Sequence, residues 1–138
     1  MLSTADLMYI GLLLALNSLA LTLGSLRKKK RREFSPLLIL RKPEHIFLNN
    51  IVAYLPLLIP FIGIAYSLYI FYTSGRSLGS RILFKAYTLL ELTSASILAY
   101  SGLLLLMFRV LDSVMLLVSA FILLALAAYT ESRRLSRA

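Results

Sequence analysis

Between Asp6 and Arg27 the chain runs from Leu7 to Leu26, 20 residues, without a single charge. A helix of that length matches the roughly 30 Å of hydrocarbon at the centre of a bilayer. Three more apolar runs follow, at about 51–73, 82–108 and 110–130. The expected fold is therefore all-α: membrane-type helices, four spans arranged as two hairpins, in one membrane-embedded domain covering residues 1–138. Composition agrees, because 59% of the residues are hydrophobic and mean hydropathy is +0.84, against about 45–50% apolar content in soluble domains. A soluble chain of this size could not cover so much apolar surface.

The charges are crowded between the runs. Fifteen basic residues stand against six acidic ones, and a basic loop, 27–50, opens with Arg27, Lys28, Lys29, Lys30, Arg31 and Arg32. A cleaved leader would carry its positive charge before the apolar run, whereas here it follows. The first run is thus expected to be a retained anchor with the basic cluster held in the cytoplasm. Within the loop, Ser35-Pro36 suits a helix start and Pro43 an end, so a short helix along the headgroups is predicted there. With four spans, both termini fall outside, on the side where Tyr9, Tyr66, Tyr69, Tyr72, Tyr87 and Tyr129 would form an aromatic belt. The C-terminal arginines Arg133, Arg134 and Arg137 oppose that orientation.

Pro56 and Pro60 share a face of the second span, and each removes a backbone donor, so a bend is predicted there. Ser74 to Arg81, SGRSLGSR, reads as a loop from its glycines and serines. Between Ile82 and Thr130 no proline intervenes. A hairpin turning near Arg109 and Asp112 is expected, since Asp112 or Ser113 can cap a new helix. The alternative is one long helix of about 73 Å, too long for a bilayer.

Few residues invite chemistry. Glu91 lies inside the third run, where an ionisable side chain is costly and is either a proton or cation site or an interfacial group that stays hydrated. Arg109 and Asp112, three apart, can pair to pin a turn or to join subunits. Asn17 suits an interhelical hydrogen bond. Small pairs such as Gly11 with Ala15, Ala20 with Gly24, Gly63 with Ser67 and Ala95 with Ala99 allow close helix packing and favour a bundle or oligomer. With no Cys and only His45, no metal site can be assembled. No hydrolytic, redox or phosphoryl-transfer motif is present, so the chain is expected not to be an enzyme and to need no cofactor, bound phospholipid apart. The excess of ten Arg over five Lys, with no Gln or Trp, suggests a heat-loving source.

The basic run can anchor topology among anionic lipids or engage phosphates in an assembly, including nucleic acid without sequence preference. Two hydrophobic helices joined by RKKKRR, from Leu7 to Thr73, resemble the small all-helical pilins of conjugation-type DNA-transfer systems. That resemblance implies a subunit withdrawn with phospholipid into an extracellular helical tube, with Arg27 to Arg32 facing its lumen. The chain departs from the pattern in having four apolar segments, a longer connection and no processing site. The first expectation is a non-enzymatic structural or accessory subunit, partnered by membrane lipid and by copies of itself or other membrane subunits. A pilin is the second, and a small transporter or channel subunit using Pro56, Pro60 and Glu91 the third.

Overall fold

The computed structural model describes residues 1–27 and 42–136. The run Lys28 to Arg32 and most of the predicted headgroup helix lie outside the described residues. Everything described is helix or turn, with no strand. The elements are α1 (Thr4–Leu26), α2 (Pro43–Tyr54) continued by a 3-10 turn (Leu55–Leu58), α3 (Ile62–Leu78), a second 3-10 turn (Ser80–Ile82), α4 (Ala86–Leu106) and α5 (Val110–Ser136). Three of these, α1, α4 and α5, are long and apolar enough to cross a membrane.

The expected second span is not one helix. α2 begins at Pro43, whose missing N–H costs nothing in the first turn, and ends at Tyr54. Pro60 forces the preceding Ile59 into an extended conformation, φ −77° and ψ 117°. Phe61 then takes a positive φ of 60° before α3 starts. The two prolines therefore do more than bend a helix: the chain reverses between Leu58 and Ile62.

Contacts give each segment its direction. Ser94 donates to the Ala120 carbonyl and Ser101 meets Ser113, so α5 runs antiparallel to α4. Asn17 bonds Ser96 while Asp6 bonds Tyr100, so α1 is also antiparallel to α4. Asn50 meets Glu91 near the start of α4, and the Leu58 backbone lies against Gly102 near its end, so α2 and its 3-10 extension run alongside α4. α3 returns, parallel to α1: Gly24 abuts Tyr72, Gly75 abuts Leu21 and Ser25, and Asn17 meets Ser67, a constant offset of about 50 residues.

The bundle thus alternates direction through five segments. Met1 sits beside Asp112 at the start of α5, while Arg134, near that helix's other end, meets Tyr87. The first and last described residues lie at opposite ends, which corrects the expectation of both termini on one side. The tyrosines divide likewise. Tyr9 stacks on Tyr100 at the Asp6 end, with ring centroids 6.0 Å apart, whereas Tyr129 and Tyr87 lie under Arg133 and Arg134 at the other.

SGRSLGSR is mostly helix. α3 continues through Ser74 to Leu78 and stops only at Gly79, whose φ of 72° favours glycine. Gly75 belongs to a helix crossing, where a Cβ would collide with the Leu21 carbonyl oxygen and stand 2.9 Å from the Ser25 nitrogen. Gly24 makes the reciprocal contact with Tyr72. Two cores fill the bundle. One, around Leu21, Leu57, Phe71, Leu98 and Leu124, occupies the middle; the other, around Leu13, Tyr100, Leu104 and Leu116, lies towards the Asp6 end.

Candidate functional site

The largest polar constellation begins with an N-cap. Ser3 accepts from the Asp6 amide at 3.2 Å, and its own amide donates to Asp6 Oδ2 at 2.6 Å. This reciprocal pair is a capping box built with Asp. It fixes the Asp6 carboxylate at the N-terminus of α1, where the helix dipole favours negative charge. Asp6 is 3% exposed. Tyr100 on α4 donates to Oδ1 at 2.5 Å, and Arg109 grips both oxygens, Nη1 to Oδ1 at 2.8 Å and Nη2 to Oδ2 at 2.9 Å.

Arg109 also binds Asp112, through Nε at 2.9 Å and Nη2 at 2.7 Å to Oδ2. The other Asp112 oxygen accepts from the Met1 ammonium at 2.8 Å. Asp6 first, and Asp112 second, hold the Arg109 guanidinium above its already high ordinary pKa. Two cations face two carboxylates, so the cluster is balanced. It ties the start of α1 to the α4–α5 turn and leaves no charge over for a ligand.

The turn itself is a Schellman motif. The Phe108 amide donates to the Leu105 carbonyl and the Arg109 amide to that of Leu104. Phe108 holds the left-handed position at φ 56°, where glycine is usual. The Arg109–Asp112 pair predicted at this turn is present. Sequence reasoning missed Asp6 and Tyr100; Ser3-x-x-Asp6 before an apolar run was the available signal for the first, and nothing in the spacing marks the second.

A second polar group lies in the middle of the bundle. Asn17 of α1 donates from Nδ2 to Ser96 Oγ on α4 at 3.1 Å and accepts from Ser67 Oγ on α3 at 2.9 Å. All three are 1% exposed or less. One amide thus joins three helices, as an intramembrane hydrogen bond should. Between α4 and α5, Ser101 and Ser113 hydroxyls lie 2.8 Å apart and each also bonds the other's backbone carbonyl.

Glu91 occupies a third position. It is half-buried on the first turns of α4, and its Oε1 accepts from Asn50 Nδ2 of α2 at 3.0 Å. Glu131 and Tyr54 are its charged and phenolic neighbours. Nearby in sequence, Thr88 is the one buried side chain among the described residues whose buried polar oxygen has no hydrogen-bond partner. Of the basic run, only Arg27 is described; it is exposed just past the end of α1. The structure does not bring Arg27, Glu91 and Arg109 into one site. Arg27 and Glu91 lie towards one end of the bundle and Arg109 lies at the other.

Compared with family models, curated proteins and solved structures, the chain matches none.

Proposed function

We propose that the chain is a non-enzymatic structural or accessory subunit of a membrane complex. One observation carries this reading: polar side chains go inward to join helices, while long apolar rows face outward. On α1 the outward row includes Leu12, Leu16, Leu19 and Leu23; on α5 it is Val114, Val118, Ile122 and Leu126. In water such rows would drive aggregation. In hydrocarbon they need no cover beyond lipid or the helices of other subunits. The inward groups resemble fasteners, since the hydrogen bonds of Asn17, Ser94, Ser101 and Tyr100 each link one helix to another.

The test is extraction and co-purification. The chain should resist alkaline carbonate, require detergent, and carry copies of itself or other membrane subunits through mild purification. Recovery as a monodisperse species in plain buffer would reject the proposal. The pilin reading draws no support from the fold, because α3, the helix that would complete the two-helix hairpin, runs parallel to α1. A transporter subunit is the second reading, favoured by Glu91 accepting a hydrogen bond from Asn50 across α2 and α4. Reconstituted vesicles should then show an ion flux that Glu91→Gln abolishes, and a flux unchanged by that variant would remove Glu91 from the pathway.

A further inference from the structure

The alternation of five segments sorts charge between the two ends of the bundle. At one end, Arg109 is balanced by Asp6 and Asp112. At the other lie Arg27 after α1, Arg76 and Arg81 around the α3–α4 connection, Lys85 before α4, and Arg133 and Arg134 in the last turn of α5. Lys42 precedes α2 at the same end. All are exposed except Lys85, which is half-buried. None forms an ion pair with a carboxylate among the described residues, where the three ion pairs all belong to the Arg109 cluster. Seven cations therefore ring one end without an ion pair, and the carboxylates at that end among the described residues are Glu44, Glu91 and Glu131.

Their setting is interfacial. Arg133 stacks over Tyr129 at 4.8 Å, and Arg134 bonds the Tyr87 hydroxyl at 3.0 Å. Pairing of cationic heads with tyrosine rings at the rim of apolar helices suits the headgroup level, where both side chains place an apolar body in lipid and a polar tip in water. Nucleic acid would instead call for aromatic faces left free to stack with bases.

We propose that this end is a binding surface for the anionic phospholipid headgroups of the cytoplasmic leaflet, with the Asp6 end facing outside. The proposal rests on the membrane reading above. It also removes the conflict left by four spans, because Arg133 and Arg134 now join the other cations on the cytoplasmic side.

The chain has no Cys, so single cysteines report position cleanly. In intact cells, a membrane-impermeant maleimide should modify Met107→Cys, in the exposed α4–α5 turn, and reach Ser80→Cys only after permeabilisation. The reverse pattern overturns the orientation. Both cysteines in a protein that carbonate extracts would instead mean that the membrane reading itself has failed. For the ligand, the protein reconstituted in phosphatidylcholine is titrated with spin-labelled phosphatidylglycerol and phosphatidylcholine. The anionic lipid should associate several-fold more strongly, and the preference should shrink in high salt and in a combined Arg27→Gln, Arg76→Gln, Arg81→Gln variant. Equal association of the two lipids at low salt overturns the proposal. So does retention of a single-stranded oligonucleotide by the wild type but not the variant, without lipid preference, which would make nucleic acid the partner.

Discussion

Replacing Gly75 by alanine tests the parallel contact of α1 and α3 at its narrowest point. The new methyl would meet the Leu21 carbonyl oxygen head-on and lie 2.9 Å from the Ser25 nitrogen, where ordinary contact begins at 3.4 Å. Neither atom belongs to a flexible side chain, and the carbonyl oxygen sets the displacement, so the helices must part by about 1 Å, a gap that forfeits about half of each van der Waals attraction it opens. Overpacking of this kind costs about 3 kcal/mol at the upper end of its range. Alanine returns about 1 kcal/mol through its better helix propensity. The net loss is about 2 kcal/mol, roughly 30-fold in the folding equilibrium. Gly11→Ala is the control: its Cβ would meet nothing within 4 Å, so only the propensity gain remains. Unfolding in mixed micelles with rising SDS, followed by circular dichroism, measures both. Should Gly75→Ala prove as stable as Gly11→Ala, the close approach of α1 and α3 does not exist.

Three other substitutions probe different elements in the same assay. Phe108→Gly should stabilise the protein by about 1 kcal/mol, because it relieves a left-handed residue that is 92% exposed and buries little; a loss of stability would mean that the ring itself holds the turn. Asp6→Asn should cost about 2 kcal/mol by leaving Arg109 with one carboxylate, and adding Arg109→Met should cost less than the sum of the two single changes. Additive effects would deny their coupling. Asn17→Leu should lose about 1 kcal/mol, since it unfastens Ser67 and Ser96 together, and an unchanged midpoint would show that those hydroxyls find equal partners elsewhere.

The extent of α1, the all-helical class and the turn at Arg109 were legible because charge marks them. Direction was not. Pro56 and Pro60 are compatible with a bent helix, and only the packing of Leu58 on Gly102 and of Gly75 on Leu21 turns the bend into a reversal. That reversal adds a segment and moves one terminus to the other end. Gly75 illustrates a separate difficulty, since a glycine among serines has the composition of a loop whether it serves a turn or a helix crossing. At Phe108 the opposite holds: the helix stops without the glycine that usually announces it, so the Schellman geometry left no trace in the residue type. The Asp6 site is a third case. Its cap was written in Ser3-x-x-Asp6, yet partners 94 and 103 residues away are set by tertiary packing, which local spacing does not encode.

The distance along the chain between Asp6 and Arg109 has a consequence for biosynthesis. A ribosome delivers the acidic start of the first helix long before the arginine that neutralises it, so the nascent protein must hold that carboxylate without its arginine while three more helical segments are made. Arrival of a single guanidinium then fastens the beginning of the polypeptide to its final helix and closes the order of insertion.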